Sequence, residues 1–136
     1  MRTFTWTEAN AVIPKVDEGL TAAKTVLDEL RNVRDQLADL RIVWGDKVDD
    51  EACPDHAEYV GYRDRFVALE SDMAKRLRTI TDLGCEVKDP DQGLVDFFAR
   101  RRGEVVYLCW RRGEPKVQYW HTLSAGYAGR QPQNTF

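Results

Sequence analysis

The sequence has no apolar run longer than the six residues Val105 to Trp110, far short of the ~20 that a membrane helix needs. Its start, Met1-Arg2-Thr3-Phe4-Thr5-Trp6, lacks the apolar core of a signal peptide. It holds only three cysteines, with no CxxC pair, and only two histidines. An odd, unpaired cysteine set points to free thiols and a reducing compartment, so the expected location is the cytoplasm. No GxSxG, HExxH or P-loop pattern occurs, and no internal repeat or low-complexity stretch interrupts the chain.

A large excess of positive charge is missing too. The 136 residues carry a net charge of −3, which disfavours a nucleic-acid binder as a description of the whole chain. The charge is unevenly spread. Residues 94–136 hold seven bases (Arg100, Arg101, Arg102, Arg111, Arg112, Lys116, Arg130) against three acids (Asp96, Glu104, Glu114), leaving +4 there and −7 on residues 1–93. What is present suits a packed domain: 43% hydrophobic and 32% charged residues.

The apolar period changes near Gly93. Before it, the spacing is helical. Thr5-Trp6-Thr7-Glu8 fits a capping box that opens a helix, with Phe4 placed to cover the first turn. Pro14 lacks an N–H and crowds the carbonyl of Asn10, so a break or kink is expected there. Val16, Leu20, Ala23, Leu27, Leu30, Leu37 and Leu40 then form a coiled-coil-like seam. Arg34 takes one seam slot, its stem packing and its head reaching solvent or a carboxylate. Trp44 to Pro54, with Gly45, Asp46, Asp49, Asp50 and Glu51, reads as an acidic connector. A second seam runs through Tyr59, Tyr62, Phe66, Leu69, Met73, Leu77, Ile80 and Leu83, with Gly84 as the helix stop. Two seams of similar length joined by a short loop make an antiparallel pair.

After Gly93 the pattern is that of strands. Leu94 to Ala99, Glu104 to Trp110 and Lys116 to Thr122 predict a three-stranded antiparallel meander, with glycine-containing turns at 100–103 and 111–115. The middle strand is apolar on both faces. The helices should cover one face, and the C-terminal tail or a second subunit the other. Ser124 to Phe136 reads as a loop that packs back through Tyr127 and Phe136. The expected architecture is therefore α+β. It is one domain: a long antiparallel helical hairpin with its connector (residues 1–93), then a three-stranded antiparallel β-meander and a packed C-terminal loop (94–136).

The pattern of residues also carries a resemblance. Phe4-Thr5, Glu8-Ala9-Asn10 and Pro14 are followed by Gly84, Lys88-Asp89-Pro90 and Gly93-Leu94-Val95-Asp96-Phe97. Leu108-Cys109-Trp110, Gly113-Glu114, Tyr119-Trp120-His121 and the stretch Gly126 to Arg130 complete it. Together these make the chain resemble a prokaryotic family catalogued as domain of unknown function 2203, over nearly its whole length. The resemblance implies a small cytoplasmic protein and no particular activity.

Candidate chemistry therefore rests on the residues. Asp96, Cys109, Glu114 and His121 could all ligate a metal. Suppose, however, that Ala99 pairs with Glu104 and Trp110 with Lys116. Asp96 then faces Tyr107, and Cys109 faces Val117, four residues and about 13 Å from His121. That spacing disperses the ligands, since zinc donors sit within ~2.3 Å of the metal. Asp96 and His121 do share a face, and Glu8 from the capping turn could join them. The plainer reading makes these residues structural polar groups, a buried thiol and a hydrogen-bonded histidine. Cys109 inside an apolar strand is a poor nucleophile. Nothing supplies a nucleophile and an oxyanion hole together, so catalysis is not the leading expectation and no cofactor is named.

Single-stranded RNA binding by the basic, aromatic back half is a further alternative. It is weakened because the two arginine turns belong at opposite ends of a meander. The remaining polar cluster is Asp96, Glu114, His121 and Arg130, with Lys88 and Glu8 nearby. It could pin the tail onto the sheet or line a small anionic-ligand pocket. The leading expectation is a protein-interaction or oligomeric structural module, most simply a homodimer built through the helices. The alternative is a metal- or small-ligand-binding protein with its site on the sheet face near Asp96 and His121.

Overall fold

The computed structural model describes residues 1–136. Two long helices come first, α1 (Trp6–Trp44) and α2 (His56–Thr81). Five strands follow, β1 (Glu86–Asp89), β2 (Leu94–Arg101), β3 (Glu104–Arg111), β4 (Tyr119–Thr122) and β5 (Gln131–Pro132). They form one antiparallel sheet in the order β1-β2-β3-β4-β5. The α+β class stands, but the meander has five strands where the sequence predicted three. The two additions lie at the edges. Glu86-Val87-Lys88-Asp89 is too short and too charged to announce a strand, and β5 contains a proline. Both become strands because a neighbour offers unpaired backbone groups.

Two compact units make up the chain: Met1–Ala22 with Arg76–Phe136, and Ala23–Lys75. The second unit consists of the adjoining parts of α1 and α2 with their connector. Ala23, Val26, Val33, Val48, Leu69 and Met73 are its buried apolar residues. Leu27, Leu30, Leu37 and Leu40 of the expected seam are only half-buried, and Arg34 is exposed. The connector holds a 3₁₀ turn, Gly45–Asp49, with Val48 buried. Arg41 grips Asp49 at 2.8 and 3.1 Å and the Tyr59 hydroxyl at 2.6 Å. His56 pairs its Nδ1 with the Val48 carbonyl at 2.8 Å.

In the first unit the capping box is in place. The Thr5 N–H donates to Glu8 Oε1 and the Glu8 N–H donates to Thr5 Oγ1, both at 3.1 Å. The expected break at Pro14 does not occur; α1 runs unbroken through it. One missing rung in a 39-residue helix is outweighed by packing on either side, where Ala9 and Val16 are fully buried. Gly19 lies against Ile80, so close that an added Cβ would meet its Cγ1 at 2.6 Å.

The sheet divides its side chains by the period of two. Val95, Phe97, Ala99, Val106, Leu108, Trp110 and Trp120 are buried on one face. Phe4 reaches that face, its ring 5.0 Å from Phe97, and its N–H donates to the Phe98 carbonyl at 2.7 Å. The opposite face carries Asp96, Phe98, Tyr107, Cys109, Tyr119 and His121.

The registers differ from expectation by two residues at each hairpin. Arg101 pairs with Glu104, so the β2–β3 turn has only Arg102 and Gly103 between the strands, at φ +50° and +84°. Two left-handed residues are the mark of the tight hairpin turn whose twist suits flanking strands. Between β3 and β4 the chain needs a longer loop, because Val117 is diverted. Its N–H donates to Asn10 Oδ1 at 2.7 Å, and its carbonyl accepts from Asn10 Nδ2 at 3.4 Å. The third predicted strand therefore begins at Tyr119 instead of Lys116. Each two-residue slide keeps every side chain on its expected face but changes its partner.

Candidate metal centre

Those slides bring together the residues that the sequence spacing had dispersed. Asp96 now faces Cys109, and Cys109 faces Tyr119. His121 sits one alternate position from Tyr119, opposite Tyr107. The donor atoms of Asp96, Cys109 and His121 all lie within 4.8 Å of one another. All three residues are buried, at 3%, 0% and 2% exposure. This corrects the expected separation of Cys109 from His121.

The hydrogen bonding of His121 is informative. Its Nδ1 lies 2.7 Å from the Thr122 carbonyl oxygen, which can only accept, so Nδ1 carries a hydrogen. Its Nε2 lies 3.2 Å from both carboxylate oxygens of Asp96. Both ring nitrogens thus face oxygen atoms, and either a proton or a metal ion stands between Nε2 and Asp96. Burial pulls the His121 pKa down, but the hydrogen bonds to Asp96 and to the Thr122 carbonyl, with the Asp96 charge, leave it raised. Burial and the adjoining Asp96 charge push the Cys109 thiol up to about 12, against a smaller opposing effect of Arg130. A free Cys109 thiol is therefore inert as a nucleophile.

Glu114 and Arg130 form a second pair beside the first. Arg130 donates to both oxygens of Glu114, at 2.8 and 3.1 Å. Its Nη1 is 3.9 Å from Cys109 Sγ, so the sulfur stands between the two pairs. Lys88 lies at the other margin. It donates to Glu86 at 2.6 Å and to the Tyr107 hydroxyl at 3.3 Å, and the Tyr107 ring is 5.3 Å from that of His121. Glu8 is elsewhere. Its carboxylate is held in the capping box, where the Thr5 backbone N–H lowers its pKa, and it borders a hollow lined by Phe4, Arg100 and Leu108. The cluster that forms is Asp96–His121–Cys109, with Glu114–Arg130 against the sulfur and Lys88 behind Tyr107.

Sequence reasoning named Cys109 with Asp96 and His121 as possible ligands but set it apart from them by register, and it did not find the tyrosines that hold Arg130. A usable signal was present. Asp96, Cys109 and His121 share the parity of the polar face, and only the register stood between them.

The molecule is thus a small α+β chain with a buried nitrogen, oxygen and sulfur donor set on the sheet face opposite Phe97. None of its helices is long and apolar enough to cross a membrane. A family model matches residues 2–133, and the chain belongs to that family, described as uncharacterized conserved protein DUF2203. No curated protein and no solved structure matches it.

Proposed function

We propose that this chain is a divalent-metal-binding protein whose ligands are Asp96, Cys109 and His121. The observation that carries the reading is that Nε2 of His121 faces only the Asp96 carboxylate while its Nδ1 is committed to a carbonyl. Metal-ligating histidines are oriented in this way, with the other ring nitrogen held by a backbone oxygen. At metal–ligand distances of about 2.0–2.3 Å, tetrahedral donors lie roughly 3.3–3.8 Å apart. The 3.2 Å between Nε2 and each Asp96 oxygen is just under that spacing, and a small inward shift of Cys109 would complete the set. A mixed imidazole, carboxylate and thiolate set suits zinc or ferrous iron more than calcium or magnesium. Three protein donors leave a coordination position for water or a small ligand, as in catalytic zinc sites.

Protein purified without chelator should carry one divalent ion per chain in native mass spectrometry. Cobalt(II) added to the metal-free protein should give a near-ultraviolet thiolate-to-cobalt band. Cys109→Ser should abolish the band, and His121→Ala or Asp96→Asn should abolish retention. A wild-type chain with no retained ion and no cobalt band would leave Asp96–His121 as a structural ion pair and end this reading.

Self-association through the helices is a second reading. Ile42 and Val43, near the end of α1, are 81% and 70% exposed, and Val67 on α2 is 61% exposed. The same native spectrum reads subunit number. A dimer mass that Ile42→Asp with Val43→Asp converts to monomer supports it, and a wild-type monomer at micromolar concentration overturns it.

A further inference from the structure

The C-terminal segment delivers Arg130 to the sulfur of Cys109 and holds it there by means independent of that sulfur. Its guanidinium lies over the Tyr119 ring at 4.1 Å and over the Tyr127 ring at 4.2 Å. Glu114 takes it in a two-pronged ion pair. The Tyr127 hydroxyl accepts from Arg130 and from Arg111, each at 3.3 Å. Gly126, at φ +66°, turns the chain into this position, and β5 then pairs Gln131 and Pro132 with Trp120 and Tyr119. Tyr119 is itself the cross-strand partner of Cys109. The stack therefore sets a cation over the same row of the sheet that carries Asp96 and Cys109.

This arrangement treats two states of Cys109 differently. Toward a neutral thiol, an N–H at 3.9 Å is a weak contact. Toward a metal-bound thiolate it is a charged donor aimed at an anionic sulfur. Glu114 neutralises much of the guanidinium charge, so Arg130 can stand beside a metal ion without strong repulsion.

From this we infer that Arg130 is a positioning residue of the metal site, and that docking of the tail around Tyr127–Arg130 and occupancy of the site favour each other. The inference rests on the metal-binding reading. It follows from reciprocity: if the docked tail raises metal affinity through Cys109, bound metal must hold the tail down by the same factor. Partners one shell out from a metal typically change affinity by about 10–100-fold when removed.

The test uses the full chain. Zinc and cobalt affinities are measured by competition with a chromophoric chelator for wild type, Arg130→Lys and Arg130→Gln. Amide exchange of residues 126–131 is followed in wild type with and without zinc. The expected result is a loss of roughly tenfold or more in affinity for Arg130→Gln, with the thiolate-to-cobalt band moved to longer wavelength. Arg130→Lys should recover part of both, and zinc should slow exchange of the tail amides. A general loss of packing would not move the band or respond to lysine. Wild-type affinity and band position in a folded Arg130→Gln protein would overturn the inference while leaving the metal reading intact. If that variant does not fold, the wild-type exchange measurement decides alone, and unchanged tail exchange on zinc binding overturns it. Absence of any cobalt band in wild type would instead remove the metal reading and this inference together.

Discussion

Asp96 and Cys109 face each other directly across β2 and β3, although the turn between them was expected to place Asp96 opposite Tyr107. The pairing is set at the far end of the hairpin, where Arg102 and Gly103 alone make the turn. A tight turn two residues shorter than expected thus decides which side chains meet near the other end of the strands. It creates a buried polar cluster where a dispersed set was foreseen.

The turn itself can be improved. Arg102 holds φ +50°, a left-handed conformation that costs a branched or long side chain about 1 kcal/mol relative to Gly or Asn. Arg102→Asn should raise stability by about 0.5–1 kcal/mol without altering the register. Urea unfolding measures the first, and cross-strand nuclear Overhauser contacts between Asp96 and Cys109 check the second. A loss of stability would contradict the turn assignment.

Asn10 is a single side chain that satisfies both backbone groups of Val117, a residue with no solvent exposure. Asn10→Ala leaves a buried N–H and carbonyl without their partner and should cost about 1–3 kcal/mol. Asn10→Asp keeps the acceptor for the Val117 N–H but sets a carboxylate oxygen against the Trp6 and Val117 carbonyls that Asn10 Nδ2 serves, so it should cost at least as much. Chemical denaturation of the two variants orders them, and the exchange rate of the Val117 amide locates the effect.

The capping box predicts an acid response of known sign. The Thr5 backbone N–H, then the Thr5 hydroxyl, hold Glu8 below its ordinary carboxylate pKa. The folded chain therefore binds fewer protons here than the unfolded chain does. Its stabilisation is fully present above the unfolded carboxyl pKa, and it is lost as pH falls through the lowered folded value. Glu8→Gln should lower the melting temperature modestly at neutral pH and converge with wild type in acid, so that the acid limb is flatter. An acid limb identical to wild type would show that the capping carboxylate contributes nothing to that limb.

Removal of residues 126–136 takes away the Arg130–Glu114 pair, β5 and the Phe136 ring, which sits 5.2 Å from Trp6 and 5.9 Å from Trp120. Truncation before Gly126 should lower the melting temperature by roughly 5–15 °C, corresponding to a loss of about 2 kcal/mol. An unchanged melting temperature would mean that the tail lies on the sheet without stabilising it.

Much of the fold was legible because it depends on local pattern. The Thr5–Glu8 box, the helical spacing of Val16, Leu20 and Ala23, the alternation along β2 and the apolar middle strand are all short-range signals. The edge strands were not legible. Glu86–Asp89 and Gln131–Pro132 have no strand signature of their own and pair only because β2 and β4 present open edges. At Pro14 the reverse holds: its local cost is real, yet the buried contacts of Ala9 and Val16 keep the helix from breaking there.

The sequence by itself determined the class of the molecule, the two helices, the three principal strands and the parity that puts Asp96, Cys109 and His121 on one face. Tertiary structure alone decided that they meet. Strand register is the sum of a turn of two residues and of a loop drawn aside by Asn10, whose partner Val117 lies 107 residues away in sequence. Parity survives a two-residue slide because side chains alternate with period two. Contact does not survive it, because each slide carries a side chain about 6.6 Å along the strand.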